Sequence, residues 1–482
     1  MYRPRDTHMG DFWFLRGPDG LHMYYLEFAI PARDAFAEEG IGHATSTDGI
    51  HWVEQGRVIG RGEPGAWDDA AIFTGSAIEV GGRYYMLYTG LTRADRCQRI
   101  GLLTSDDLHH WERFEGNPVL EPDPRWYETL ADVDADTWVA WRDPCLYWHE
   151  PEGACYAFIT ATERGDRPRH ERGCIGLARS QDMVRWEALP PATAPGLYHD
   201  HEVPDLFELG GRWYLLHSTR LWRYSETALE RKPARWCRNG THYLVAPDPL
   251  GPWEVPPVDV VAGAMADSLY AARAQRVGDD LLLYAWGPTR RELAVPLKLD
   301  AAADGALCAL YWEGLDQCRG ESLCHPRFAA LRGEWQETQR MMLGAADGAA
   351  AVAGCEREAI DLSFSAEIVP GIGARAGIGV SDGAQVLAGV IDTQAQETAI
   401  VRLPAGTGPA HAEVLSSVPW DVVPVQAVRL RLVCDGEVLE LFVDDEFAVA
   451  ACCEGRGRGA VRLAIEHGTA EFRAMEAHAL KL

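Results

Sequence analysis

Ser46-Thr47-Asp48-Gly49-Ile50-His51-Trp52 is a short polar tag closed by a tryptophan, and the chain repeats it. Ser105-Asp106-Asp107-Leu108-His109-His110-Trp111 and Ser180-Gln181-Asp182-Met183-Val184-Arg185-Trp186 keep the same six-position run from Ser to Trp. Ala246-Pro247-Asp248-Pro249-Leu250-Gly251-Pro252-Trp253 is a looser copy. Trp52 to Trp111 is 59 residues, Trp111 to Trp186 is 75 and Trp186 to Trp253 is 67. That spacing is too irregular for a tight solenoid and suits propeller blades with loops of different length.

Before, between and after the tags, short β-branched or aromatic runs recur at residues 21–28, 83–90, 155–162, 212–219 and 280–287. Each is bounded by Gly, Asp or charged turn residues, as strands are. Gly81-Gly82 and Gly210-Gly211 precede two of them, where a tight hairpin needs glycine. Five such strands predict a five-bladed β-propeller over residues 1–325, and the region has no convincing amphipathic helix. Past Leu315 the tags stop. From Ala359 onward the chain alternates in strand fashion, as in VRLRLV at 428–433 and VLELFV at 438–443, split by Asp435-Gly436. Asp-Gly is a strong hairpin signal, so residues 326–482 are predicted to be a linker and a C-terminal antiparallel β-sandwich. The fold class is therefore all-β.

With 482 residues, two domains are the natural expectation. A net charge of −27 disfavours nucleic acid and anionic membrane surfaces, whose binding is supplied by Lys and Arg. A neutral small-molecule or oligosaccharide substrate fits that surface, and a homo-oligomer is compatible with it. Seventeen Trp and sixteen Tyr could pack cores or stack on sugar rings. The start, Met1-Tyr2-Arg3-Pro4-Arg5-Asp6, has no apolar run after its basic residues. The twelve cysteines form no CxxC pair. Both features lead us to expect a cytoplasmic protein with free thiols.

Three acids stand out by context. Asp11 lies in Met9-Gly10-Asp11-Phe12, Asp143 in Trp141-Arg142-Asp143-Pro144, and Glu202 in His201-Glu202-Val203-Pro204-Asp205. Each precedes or opens a blade, where inner strands converge on a propeller axis. Acids flanked by proline and aromatics are expected to be partly buried, with shifted pKa values. Glycoside cleavage needs two carboxyl groups across one bond. Taken singly, each motif also reads as an ordinary capped turn or loop. Trp67, in Gly65-Ala66-Trp67-Asp68-Asp69, reads equally as a sugar-stacking platform and as core. His199, His201 and His217 lack ligand partners at metal spacing, His109-His110 reads as surface, and Asp444-Asp445 reads as a hairpin turn rather than a calcium site.

The ordered motifs resemble glycoside hydrolase family 32, which holds invertases, levanases and inulinases. Gly42-His43-Ala44-Thr45-Ser46 is similar to that family's G-H-A-x-S, and Phe73-Thr74-Gly75-Ser76-Ala77 to its F-S-G-S-A. Asn117-Pro118-Val119, Arg142-Asp143-Pro144 and Glu202-Val203-Pro204-Asp205 resemble N-P-V, R-D-P and E-C-P-D. Tyr270-Ala271-Ala272, Trp286 and Glu440-Leu441-Phe442-Val443-Asp444-Asp445 complete the series. The resemblance implies a retaining, exo-acting β-fructosidase that needs no metal or cofactor. Asp11 would be the nucleophile and Glu202 the acid/base, with a raised pKa that keeps it protonated while Asp11 is ionised. Asp143 would hold sugar hydroxyls, kept ionised by Arg142. Glu27, Phe73, Thr74, Arg142 and Trp286 would help bind substrate.

The departures matter as well. The family's N-D-P-N-G is here Gly10-Asp11-Phe12-Trp13-Phe14, so only the Asp survives. Glu27 stands where the family has Gln, and Thr74 replaces Ser. An ionised Glu27 can only accept hydrogen bonds and would demand donors. The altered pocket predicts weak or absent action on plain sucrose and better action on another furanoside. An arabinofuranosidase-like hydrolase, a fructosyltransferase and a non-catalytic carbohydrate-binding protein are the alternatives.

Overall fold

The computed structural model describes residues 2–30, 38–232, 236–264, 269–286, 292–324, 328–338, 341–346, 350–404, 412–453 and 459–482. The expected strand end at Gly287 and the expected boundary at residues 325–326 lie on or against positions outside that set. The fold is all-β with a propeller arrangement. Its first sheet is β1 (His8–Gly17), β2 (Gly20–Phe28), β3 (Glu38–Ser46) and β4 (Val53–Gly60). The second is β5 (Ala71–Val80), β6 (Arg83–Leu91), β7 (Arg99–Ser105) and β8 (Glu112–Arg113). The third is β9 (Trp141–His149), β10 (Ala154–Thr162), β11 (Gly173–Ser180) and β12 (Glu187–Leu189). The fourth is β13 (Glu202–Leu209), β14 (Arg212–Thr219), β15 (Asn239–Ala246) and β16 (Val260–Ala264). Each pairs its strands in chain order as an antiparallel meander.

Strand pairing gives four separate blades where the repeat predicts five. The next four strands are β17 (Tyr270–Val277), β18 (Asp280–Trp286), β19 (Leu297–Ala301) and β20 (Leu307–Leu310). They follow the same meander, but β20 also pairs with the C-terminal strand Glu446–Cys452 through Leu310 and Glu446. The sheet therefore runs on into an 18-stranded C-terminal assembly. The physical reason is an open edge: the unpaired backbone groups of a last strand recruit whatever strand lies beside them.

The tags explain how each blade turns its third strand into its fourth. In the first, Ser46 Oγ accepts from Gly49 N at 2.9 Å, and Asp48 Oδ1 accepts from Ile50 N and His51 N at 2.9 and 2.8 Å. In the second, Ser105 and Asp107 do the same for Leu108, His109 and His110. Asp182 repeats it for Val184 and Arg185, and Asp248 holds Leu250 N. The turn forces a left-handed residue three places after the Ser. That residue is Gly49 at φ 77°, Leu108 at 67° and Met183 at 66°. Two polar side chains thus satisfy a reversal that β-branched residues resist. The closing tryptophans anchor it, Trp111 and Trp186 donating Nε1–H to Leu108 O and Met183 O.

Past β20, fourteen further strands run from Arg319 to Leu480 among the described residues. The expected Asp435-Gly436 hairpin joins Val428–Asp435 to Val438–Val443. Asp444 and Asp445, at φ 52° and 64°, form the two-residue turn between Val443 and Glu446, as positive φ at both positions requires. One buried cluster is internal to the C-terminal strands. A second joins Leu283, Leu299 and Tyr311 to Phe442, Phe447 and Ala450, so the two halves share apolar core. Burying each large side chain there contributes about 1.5–3 kcal/mol.

Candidate active site

The first strand of each meander carries a register break at its leading end. The breaks fall between Met9 and Phe12 in β1, Phe73 and Gly75 in β5, Glu202 and Asp205 in β13, and Tyr270 and Arg273 in β17. In β9 the break lies opposite Phe158 and Thr160, at Asp143-Pro144. A bulge re-aims a side chain out of the alternating pattern. Here it delivers Asp11, Thr74, Asp143 and Glu202 into one cavity. Positive φ at Asp143 (57°), Val203 (53°) and Ala271 (54°) marks the same turn in three strands. The neighbouring second strands hold it: Thr89 Oγ1 accepts from Asp143 N at 3.0 Å, and Ser218 Oγ from Ala271 N at 2.8 Å. Below the cavity the buried Arg273 donates to Phe12 O, Pro204 O and Gly75 O, tying β17 to β1, β13 and β5.

The cavity measures about 830 Å³, enough for a sugar unit with its leaving group. Its walls include Asp11, Phe73, Thr74, Arg142, Asp143, Glu202 and Trp286. Thr74 Oγ1 donates a short hydrogen bond to Asp11 Oδ2. Asp143 is 3% exposed, and its Oδ2 accepts from Thr160 Oγ1 at 3.0 Å and Val203 N at 3.2 Å. Glu202 Oε1 lies 2.7 Å from Arg142 Nη2 and 2.7 Å from Arg223 Nη1, and Tyr270 donates its hydroxyl to Oε2.

These surroundings set the charges. Burial pushes Asp11 up to about 7, the nearby Asp143 adds repulsion, and the Thr74 bond offsets only part of it. Burial also raises Asp143, despite Arg142. For Glu202 burial pushes the same way, but Arg142 and Arg223 outweigh it and hold the carboxyl below the ordinary glutamate range. This reverses the expectation of a protonated Glu202 beside an ionised Asp11. The reason is tertiary: Arg142 was expected to serve Asp143, yet its Nε stands 3.4 Å from that carboxylate while Nη2 binds Glu202.

Two expected substrate contacts lie elsewhere. Glu27 does not line the cavity; it is 7% exposed and its carboxylate is taken by Arg57 of β4. That pairing supplies the donor its burial demanded. Trp67 packs on Tyr88 with ring centroids 5.4 Å apart, over the backbone of Gly90 and Gly101. A Cβ on either glycine would stand 2.4 Å from the indole, so Trp67, half-buried, packs against the apolar cluster shared by the first two blades and not on the cavity. Of the three histidines, only His199 faces the cavity, bonded to Asp200 and Arg169. His201 and His217 pack on each other behind it, ring centroids 4.5 Å apart.

The cavity also holds residues that the sequence alone did not single out as site residues: Trp138, Arg169, Asp200, Arg220, Arg223 and Tyr270. Arg220 stacks 4.2 Å over the Tyr270 ring. Tyr270 was within reach, because its segment carries one of the quoted motifs. Arg220-Leu221-Trp222-Arg223 gave one signal, two arginines just beyond a blade strand.

Residues 16–243 match the family model for the glycosyl hydrolases family 32 N-terminal domain. Over that span, just under half of its length, the chain is similar to glycosyl hydrolase family 32. An insoluble-isoenzyme β-fructofuranosidase of Arabidopsis thaliana is 32% identical over 175 residues, 34% of this chain and 27% of that protein. The sucrose-6-phosphate hydrolase of Escherichia coli is 28% identical over 219 residues, 43% of this chain and 40% of that one. The matched segment thus spans between a quarter and two-fifths of these curated relatives. Among solved structures, a family 32 β-fructofuranosidase of Bombyx mori superposes with a TM-score of 0.64 at 19% identity, covering 99% of this chain and 94% of its own. An exo-inulinase of Aspergillus awamori gives 0.69 at 15% identity, covering 100% and 97%. These two likenesses describe the fold.

Proposed function

We propose that this protein is a retaining, exo-acting glycoside hydrolase that cleaves β-fructofuranosides or a related furanoside. One observation carries the reading: bulges on separate blade strands bring Asp11, Asp143 and Glu202 into one cavity. Asp11 attacks the anomeric carbon as the glycosidic bond breaks, and Glu202 gives its proton to the departing oxygen. Water, deprotonated by Glu202, then cleaves the glycosyl ester and restores Asp11. Asp143 accepts hydrogen bonds from sugar hydroxyls and offsets the positive charge that develops on the ring. Phe73, Trp138 and Trp286 supply apolar faces for the ring and leaving group.

The same reading extends to architecture. The first strands pack in sequence, β1 on β5, β5 on β9, β9 on β13, β13 on β17, and β17 back on β1. That closed cycle supports β17–β20 as a fifth blade whose outer edge is used by the C-terminal region. We take residues 1–325 as the catalytic propeller and the remainder as linker and β-sandwich.

A second reading, a carbohydrate-binding protein without turnover, is favoured by the two guanidinium groups that keep Glu202 ionised. Product release from sucrose, inulin, levan and aryl furanosides separates the two. Hydrolysis of at least one furanoside with initial retention of anomeric configuration is expected, with sucrose a poor substrate. Binding of a sugar with no release from any of the four would overturn the hydrolase reading. Brisk sucrose hydrolysis, near about 10 per second, would overturn only the inference drawn from the missing Asn residues.

A further inference from the structure

We propose that Asp19, His22 and His109 form a site for a divalent transition-metal ion of the zinc type, clipping the first blade to the second. The site is independent of the hydrolase reading, because none of the three residues lines the catalytic cavity. Asp19 stands in the two-residue turn between Gly17 of β1 and Gly20 of β2. His22 follows on β2, and His109 belongs to the tag of the second blade. His22 Nε2 is 2.8 Å from Asp19 Oδ1, His109 Nε2 is 3.3 Å from Asp19 Oδ2, and the ligand atoms all lie within 4.8 Å of one another. Tetrahedral zinc with bonds of roughly 2.0–2.1 Å sets its ligand atoms about 3.3 Å apart. Two imidazole nitrogens and one carboxylate suit zinc, cobalt(II) or nickel(II) better than calcium or magnesium.

The surroundings look built rather than incidental. His22 is fully buried, yet its Nε2 points at the one partly open side, where the Asp19 side chain is 54% and the His109 side chain 35% exposed. Water can complete the fourth position there. Behind it His22 Nδ1 lies 3.0 Å from His43 Nε2. That contact serves both states. With a proton on Nε2, His22 donates to Asp19 and accepts at Nδ1. With a metal on Nε2, its proton sits on Nδ1 and is donated to His43, the outer-sphere bond that metal-bound imidazoles use to fix their tautomer. The rings are held as well: His43 stacks on His22 at 15°, and His109 packs edge-on to both. Gly17 leaves the space free, since a Cβ there would come within 2.9 Å of His22 Nε2.

The test uses untagged full-length protein stripped with a chelator. Cobalt(II) titration should give the visible absorption of a four-coordinate site, and zinc should raise the thermal midpoint by about 2 °C or more. His109→Ala and Asp19→Asn change accessible groups and should fold. Each should weaken cobalt binding at least about tenfold and abolish the zinc-induced shift, with hydrolysis unchanged. Absence of both signals in the wild type, or equal signals in the variants, would overturn the proposal and leave a hydrogen-bonded Asp–His pair only.

Discussion

The two walls of the cavity treat chemically similar acids in opposite ways. On the wall built by β1 and β5, Asp11 has one neutral donor, Thr74, and burial dominates, so its pKa climbs to about 7. On the wall built by β9 and β13, Glu202 is as deeply set but lies between Arg142 and Arg223, and its pKa falls. Desolvation acts on both, but two guanidinium groups touch Glu202 directly, while Asp11 feels only the more distant charge of Arg273, the weakest of the influences on it. Below about pH 7 the proton is therefore held by Asp11 in preference to Glu202, while the proposed retaining chemistry needs it on Glu202. Under the proposed mechanism the reactive arrangement is then a minor form of a coupled set, and its population would scale the rate.

The strongest way to break this contrast is to remove one wall. Asp11→Ala should lower turnover by roughly 10⁴-fold or more, since no covalent intermediate can then form. Steady-state kinetics on the best furanoside checks it, and residual activity above about a tenth of wild type would remove Asp11 from the nucleophile role. Next in size, Glu202→Gln should cost about 10²–10⁴-fold on substrates with poor leaving groups. Activated aryl furanosides, which need little protonation, should lose much less. Equal losses on both would show that Glu202 is not the acid.

Above about pH 7 the proton held by Asp11 is lost, leaving none for the leaving group, so activity should fall through that pH. The acid limb should lie below the ordinary glutamate range, because Arg142 and Arg223 hold Glu202 down. Arg223→Met should move that limb to higher pH while the alkaline limb stays near 7. An unmoved acid limb would mean that Arg223 does not set the charge of Glu202.

The smallest effect concerns stability. Asp11 has a folded pKa above its unfolded value of 3.8, so folding retains a proton that the unfolded chain loses. Its ionised form thus weakens the fold increasingly as pH rises from about 4 to about 7, and fully beyond. Asp11→Asn should raise the thermal midpoint by a few degrees at pH 8 and by nothing below the unfolded pKa. A gain of equal size at pH 3 and pH 8 would trace it to packing instead of charge.

Much of this molecule is local and therefore legible. The Ser-Asp-Trp tags determine their own turns, because the side chains that satisfy the reversal lie within a few residues of it. Alternating apolar runs determine the strands, and motif order pointed to Asp11, Asp143, Glu202, Phe73, Thr74, Arg142 and Trp286, all of which line one cavity. What the sequence could not determine depends on partners far along the chain. Arg57 meets Glu27 across 30 positions, and Gly101 admits the ring of Trp67 across 34. The edge of β20 finds its partner strand at Glu446. Arg223 reaches Glu202 from a loop 21 residues away, and no periodicity links the two. Charge at a buried carboxyl is set by whichever groups the fold leaves within a few ångströms, so the identity of the acids was written in the chain while their protonation was decided only by the packed structure.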